Sequence, residues 1–493
     1  DCPVCRSEGF EAQTRIRVTL ADRSAIATLN VVGPALVAAG CAGLSEAAWR
    51  LLGAREGDQI TLEHPEPLES LGYVRAKAYG RRLSDAELDA IIRDVAAGSY
   101  SDVHLAAFVT ATAGDRLDLG EMIGLTRAMI SAGERLDWGP GPVADKHSVG
   151  GLPGNRTTLI VVPIVAACGL RIPKTSSRAI TSPAGTADAM ETLAPVELDL
   201  AAMRRVVERE GGCIAWGGAA RLSPADDVLI RVERPLDIDS PGQMVASILS
   251  KKAAAGSTDV LVDIPVGPTA KVRSTKDAER LRAELTAVGE AVGLRLRIIE
   301  TDGSQPVGRG VGPALEARDA LAVLRGDAAA PDDLRERALT LAGALLELGS
   351  RAGSGEGVAL ARAALERGAA LRKFEAICEG QGGMRVPPVA RFTEAVVSPR
   401  AGVVTSIDNR LLARAAKLAG APKAPAAGLE LHTPLGAAVA RGEPLFTVHA
   451  EAPGELAYAL AYVSAHPSVV EVSPHDPPRR SDGIAPGPAE EQP

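Results

Sequence analysis

The residues richest in chemistry form one run, Asp145-Lys146-His147-Ser148-Val149-Gly150-Gly151-Leu152-Pro153-Gly154-Asn155-Arg156-Thr157-Thr158. Gly150, Gly151 and Gly154 let the backbone approach an anion closely, Lys146 brings a full charge, and Ser148, Thr157 and Thr158 bring neutral donors. The order is not GxxxxGK[ST], so this is not a Walker loop, and an ordinary tight strand-to-helix turn is the plainer alternative. A second run repeats the chemistry. Lys174-Thr175-Ser176-Ser177-Arg178-Ala179-Ile180-Thr181-Ser182-Pro183-Ala184-Gly185-Thr186 is dense in hydroxyls, and beside the first it predicts one shared anion pocket rather than two sets of turn and cap residues. From Asp145 to Arg178 five cations (Lys146, Arg156, Arg171, Lys174, Arg178) stand against Asp145 alone, a balance suited to small phosphates. In a third run, Asp239-Ser240-Pro241 opens a helix on which Ser247 and Lys251, four apart, share a face. Such a pair suits the carbonyl or ring nitrogen of a small ligand, or merely a solvated face.

These runs need elements to hold them. From about 140 to 300 the pattern is strand, glycine-rich loop, helix: strands near 143–145, 171–174 and 260–264, helices over 157–168, 186–194 and 275–292. That alternation predicts a parallel α/β sheet with ligands at the carboxyl ends of its strands. Upstream, Ser84-Asp85-Ala86-Glu87 has capping-box form, and Leu88, Ile91, Ile92 and Val95 follow at helical spacing. Further helices are expected over 101–113 and 118–132, the latter opened by Asp118 with Glu121 three residues on. The expected fold class is α/β with α+β accessory domains. Its parts are a β-rich N-terminal domain (1–82, strands near 14–20 and 60–62), a helical domain (83–140), an α/β domain (141–385) some of whose helices return to the helical domain, a C-terminal α+β domain (394–472, strands near 403–407, 430–432 and 444–449), and a disordered tail (474–493).

Composition narrows the function. The 493 residues carry 54 Lys and Arg against 62 Asp and Glu, a net charge of −8, which disfavours grip on duplex nucleic acid or anionic lipid. Five Phe, five Tyr and three Trp leave little for base-stacking platforms. The longest apolar run, 159–168, contains Pro163 and is too short to span a bilayer. Six cysteines are too sparse for a disulfide framework and fit a reducing cytoplasm; Cys2 and Cys5 form one CxxC with no second pair at zinc-site spacing.

The stretch Ser176 to Glu191 resembles the signature of the pyrimidine-nucleoside and AMP phosphorylases. Asp145 to Gly151 is similar to that family's Lys-His-Ser-x-Gly-Gly loop, and Ser247 to Lys252 matches a third block. The resemblance covers roughly 83 to 470. It implies a helical domain facing an α/β domain, usually in a dimer, and phosphate-binding roles for Lys146, Ser148, Thr158, Ser176 and Thr186, with His147, Ser247 and Lys251 near the base. Two departures point to the long branch that includes AMP phosphorylases: Leu152-Pro153-Gly154-Asn155 replaces the usual Val-Gly-Asp, and Pro183 replaces a usual Thr or Ala. The base-binding Arg of thymidine enzymes falls on Val232, between Arg231 and Arg234. In the AMP branch, Gly151, Ser177, Arg178, Ala179, Ile180, Thr181, Ser182, Thr186, Ser247 and Lys271 match nucleotide-binding positions, and Asp239 matches the proton donor.

The expected activity is therefore phosphorolysis of a nucleoside 5′-monophosphate, AMP and phosphate giving adenine and ribose 1,5-bisphosphate. Arg178 and Lys271 are the extra cations for a second phosphate. Thymidine phosphorolysis is the alternative within the family. Outside it stand a silent phosphoribosyl-binding module and an anthranilate phosphoribosyltransferase, which would need an acidic pair for magnesium that these loops lack. The expected partners are the small nucleotide or nucleoside and phosphate, with no nucleic acid and no membrane, in a homo-oligomer; no metal and no organic cofactor are required.

Overall fold

The computed structural model describes residues 9–150, 152–179, 182–219, 222–236, 238 and 240–474. The Cys2/Cys5 pair, Gly151, Ile180, Thr181, Asp239 and the tail from 475 onward lie outside the described residues. The chain divides into two compact units, residues 1–133 with 223–250 and residues 134–222 with 251–493.

In the first unit, Ser84 and Glu87 form the capping box that opens Asp85–Ala96, with Glu87 Oε2 accepting from Ser84 N at 2.9 Å. Leu88, Ile91, Ile92 and Val95 fall on one face of that helix and are fully buried. Helices Asp102–Ala111 and Leu119–Ser131 follow, the second capped by Asp118, which accepts from Glu121 N at 2.9 Å. Glu121 does more than cap. Its buried carboxylate accepts from Lys77 Nζ at 2.6 Å, from Leu83 N at 2.8 Å and from Asp118 N at 3.1 Å. Lys77 lies on the helix Ser70–Ala78, which packs against the two helices that follow it, so the helical set starts inside the stretch read as β-rich. The buried lysine that anchors this helix meets its carboxylate 44 residues away, a pairing that no local periodicity reveals. Helix Pro224–Leu236 and the start of Pro241–Ala254 return here: Ser240 Oγ donates to the Thr112 carbonyl at 3.0 Å and Gln243 Nε2 to Val109 O at 3.2 Å. The β-rich part is a three-stranded antiparallel sheet with Arg15–Leu20 between Arg23–Thr28 and Thr61–Glu63, and helix Glu46–Leu52 closes its small core of Ile16, Val18 and Leu52.

The second unit is built on parallel strands, as the alternating pattern requires. Ala144–Ser148 pairs in parallel with Asp259–Val266, and that strand with Arg295–Asp302. Ile172–Ser176 pairs in parallel with Gly212–Trp216, and a single bridge between Val143 and Arg171 joins the two sets. Helix Thr158–Ala167 is apolar on every side and buried on every side, which places it inside the core among Leu334–Leu346 and Phe374. The C-terminal part is α+β. Strands Phe392–Val397, Pro444–Ala450 and Gly428–Leu431 form an antiparallel sheet completed by Gly310–Val311, a short strand contributed from before residue 394. Among the described residues no helix is long and apolar enough to cross a membrane.

Candidate active site

The first anion run begins inside a strand rather than after it. Lys146, His147 and Ser148 belong to Ala144–Ser148, where successive side chains alternate faces. Lys146 and Ser148 therefore share one face, and His147 shares the other with Asp145. The consequence is a chain of polar contacts. Lys146 Nζ donates to the Ser148 hydroxyl and, at 2.7 Å, to Thr157 Oγ1; Ser148 Oγ donates to Asp263 Oδ2 at 2.7 Å. Asn155 Nδ2 also reaches Asp263 Oδ2, at 3.2 Å, and Thr301 Oγ1 reaches its Oδ1 at 2.6 Å. Asp263 lies on the neighbouring strand, paired opposite Ser148.

Lys146 is 1% exposed, and no carboxylate stands within ion-pair distance of it among the described residues. Burial pulls its ammonium down to about 8, opposed by the charge on Asp263. An ammonium has three donors and two are spent on neutral hydroxyls, so a buried charge and one donor remain for an anion. Ser176, at the carboxyl end of Ile172–Ser176, adds a buried hydroxyl with no hydrogen-bond partner among the described residues. Both features face the end of a parallel sheet at which ligands bind.

The second face of the Lys146 strand is a buried charge network. Asp145 Oδ2 pairs with Lys252 at 2.8 Å and its Oδ1 with Lys174 at 3.5 Å. Lys174 is pushed well down by burial, against the pull of Asp145. His147 is partly exposed at this face; burial and the lysines at 252, 174, 251 and 146 hold its imidazole well below the usual range, hence neutral near pH 7.

The two hydroxyl-rich loops do meet. Arg156 Nη1 donates to Thr186 Oγ1 at 2.9 Å and Nη2 to Ala184 O at 3.0 Å, while its Nε pairs with the fully buried Glu316. Asp188 closes the second loop, accepting from Ala179 N at 2.7 Å and Gly185 N at 2.8 Å. Gly185 permits this packing, because a Cβ there would stand 2.5 Å from the Arg178 carbonyl carbon and 2.6 Å from Ser177 O. Gly154 has φ +73°, and its missing Cβ would lie 2.2 Å from Val307 O.

Thr158 is buried and opens helix Thr158–Ala167; Ser177 is exposed, and Ser182 Oγ turns back to Ala184 O at 2.8 Å. Ser247 and Lys251 lie four apart on Pro241–Ala254, both partly exposed. Lys271 is exposed on the loop that leaves the carboxyl end of Asp259–Val266. Arg178 is not a free cation: it pairs with Glu191 at 2.5 Å, reaches Asp188 and Glu197 at 3.3 Å each, and lies 4.9 Å over the Trp216 ring. Of the two cations expected at a second phosphate, Lys271 remains.

The expected gathering of five cations resolves differently. Arg156 is taken by Glu316, Lys174 by Asp145 and Arg178 by Glu191, and Arg171 precedes its strand, at the amino end of the sheet. Of the five, Lys146 alone stays uncompensated at the carboxyl end among the described residues. Asp263, Glu316 and Lys252 are the partners that sequence reading missed; the first two carry no local motif, and the third closes the Ser247 to Lys252 block.

Three family models match the chain: a glycosyl transferase family a/b domain over residues 140–371, a glycosyl transferase family helical bundle domain over 72–133, and a pyrimidine nucleoside phosphorylase C-terminal domain over 403–467. A protein of Polaromonas sp. named "Putative thymidine phosphorylase" is 66% identical over 472 residues, 96% of this chain and 92% of its own. One of the same name from Hahella chejuensis is 60% identical over 96% of this chain and 94% of its own. Among solved structures, anthranilate phosphoribosyltransferase from Thermus thermophilus superposes with a TM-score of 0.53 at 21% identity, covering 62% of this chain and 98% of that one, a likeness of fold.

Proposed function

The chain belongs to the thymidine/pyrimidine-nucleoside phosphorylase family of pentosyltransferases, and from that premise we propose that its substrate is a nucleoside 5′-monophosphate, AMP. Phosphorolysis of AMP gives adenine and ribose 1,5-bisphosphate. The bond from C1′ to the base nitrogen breaks, a phosphate oxygen takes its place on C1′, and the departing base takes a proton.

The observation that carries the choice of substrate is at Val232. Thymidine enzymes hold the base with an Arg at this position, whereas Val232 is a buried apolar side chain and its neighbour Arg231 is turned to Asp102 at 2.9 Å. Val232 has no donor to offer a pyrimidine carbonyl. Lys271, exposed on the loop leaving the carboxyl end of Asp259–Val266, supports a place for the 5′-phosphate.

In this reading Lys146, Ser148, Thr158, Ser176 and Thr186 hold the attacking phosphate, with backbone donors of the glycine loop around Gly151. The main gain is orientation of a dianion beneath the anomeric carbon, where positive charge develops. Ser177 to Ser182, Ser247 and Lys251 are the nucleotide-binding residues that the family resemblance assigns. A neutral His147 hydrogen-bonds the base without adding charge. Asp239 is the proposed acid that protonates the leaving base, a role that needs a carboxyl held protonated by its surroundings. Phosphate enters as a substrate, and the proposed chemistry calls for neither metal nor organic cofactor. A homodimer or larger homo-oligomer in a reducing cytoplasm is the proposed setting; among the described residues Cys41, Cys168, Cys213 and Cys378 form no disulfide.

A second reading, thymidine phosphorolysis, is favoured by the name that the relatives carry. Incubation with AMP or thymidine, each with and without phosphate, separates the two. Phosphate-dependent adenine release with kcat/KM at least about a hundredfold above that for thymidine is expected. Rapid thymine release with none of adenine would replace AMP by thymidine.

A further inference from the structure

The amino ends of the same parallel strands border a cavity of about 480 Å³. Pro142 leads into Ala144–Ser148, Arg171 directly precedes Ile172–Ser176, and Gly211 directly precedes Gly212–Trp216. Three arginines line it, Arg171, Arg204 and Arg351, against one acidic residue, Glu208. None of the three arginines has a carboxylate within ion-pair distance among the described residues. Arg171 donates to the Trp138 carbonyl, Arg351 Nη2 donates to Gly169 O at 2.6 Å, and Arg204 lies 5.8 Å over the Trp138 ring. Trp138 is itself fixed, because its indole N–H donates to Ala255 O at 2.8 Å. Gly169 and Gly211, at φ +79° and +77°, turn the chain at the cavity wall without adding a side chain to fill it.

The geometry points to a second anion site here, one that takes a phosphate monoester of about the size of a nucleoside monophosphate. Like charges gathered around a cavity are relieved by an anion, and a guanidinium presents paired N–H groups that match phosphate oxygens. The volume falls in the range of small-molecule pockets, roughly 300 to 1,000 Å³. The Trp138 ring is covered by Arg204 and nearly buried, so recognition rests on the phosphate more than on a stacked base. This site is separate from the one around Lys146: a strand of five residues spans roughly 16 Å, and the two sites lie at its opposite ends.

Isothermal titration of the full chain with ribose 5-phosphate, AMP and inorganic phosphate tests this, using the wild type, Lys146→Ala and the double variant Arg204→Glu/Arg351→Glu. Both arginines are exposed and outside the phosphorolysis machinery, and matched melting curves confirm folding; Arg351→Gln alone serves as the milder variant. Two ester sites per chain are expected in the wild type. Lys146→Ala keeps the cavity site. The double variant weakens it at least about tenfold while phosphorolysis stays within about twofold. Ester binding that is absent from Lys146→Ala, ester binding that the charge reversal leaves unchanged, or a cavity that takes free phosphate but neither ester overturns the proposal.

Discussion

Ser148 donates its hydroxyl hydrogen to Asp263 Oδ2 at 2.7 Å, and the same oxygen atom of Ser148 receives the Lys146 ammonium. One serine thus joins a buried cation to a buried carboxylate without letting them neutralise each other in direct contact. Lys146 stays charged because Asp263 is near, and it stays available because Asp263 is not its partner.

Asp263→Asn tests that arrangement. Asp263 accepts from Ser148, Asn155 and Thr301, and an amide keeps only one acceptor oxygen, so a buried donor is left unpaired. The loss is about 1–3 kcal/mol of stability, read by urea unfolding. With the carboxylate charge gone, Lys146 titrates lower still, and the alkaline fall in kcat/KM for phosphate moves to lower pH.

The pH dependence of the wild type follows from Lys146 itself. Burial has brought it down to about 8 from an ordinary 10.5. In the proposed role it is the charged form that binds phosphate, so kcat/KM for phosphate should fall about tenfold per pH unit above that value. In kcat at saturating phosphate the fall shifts upward, because a bound anion favours the ammonium. The contribution to stability has the opposite sign. Between about 8 and 10.5 the unfolded chain holds this proton and the folded chain does not, so the Lys146 term in unfolding free energy rises with pH across that window.

Lys271 and Arg178 should behave differently despite sharing a charge. Lys271→Ala is expected to raise KM for AMP about tenfold and leave nucleosides unaffected, a loss typical of one charged contact to a phosphate. Arg178→Ala removes the ion pair to Glu191 and the contact over Trp216. It should lower stability by about 1 kcal/mol and affect nucleotide and nucleoside substrates alike.

Gly185→Ala places a methyl group against the backbone of Ser177 to Ala179. No side-chain rotation relieves a clash with backbone, so the loop must shift, with a destabilisation of about 1–3 kcal/mol and a loss of phosphorolysis larger than the loss of folded protein. Unchanged turnover would remove the second loop from the site.

Much of this was legible locally. The capping boxes at Ser84 and Asp118 and the alternation of strand, loop and helix appear in the structure within a few residues of their expected positions. The polar cluster proposed to hold an anion was legible in kind, because glycines, hydroxyls and Lys146 lie within a few positions. Its wiring was not. Asp263 lies 115 residues from Ser148 and Glu316 160 from Arg156, and only the parallel sheet and the core helices bring them together. Lys251 and Lys252 differ by one position, yet on a helix that is about 100° of rotation, and Lys252 is the one paired with Asp145. Counting charge along the chain placed Arg171 beside Lys146, whereas the strand carries them to opposite ends of the sheet.

The most direct test of the whole account is the rate of adenine release from AMP at saturating phosphate, measured side by side for the wild type and Lys146→Ala. The wild type should turn over AMP only when phosphate is present, and the variant should be slower on the order of a thousandfold with its fold intact. Equal rates in the two proteins, or adenine release that does not depend on phosphate, would contradict it.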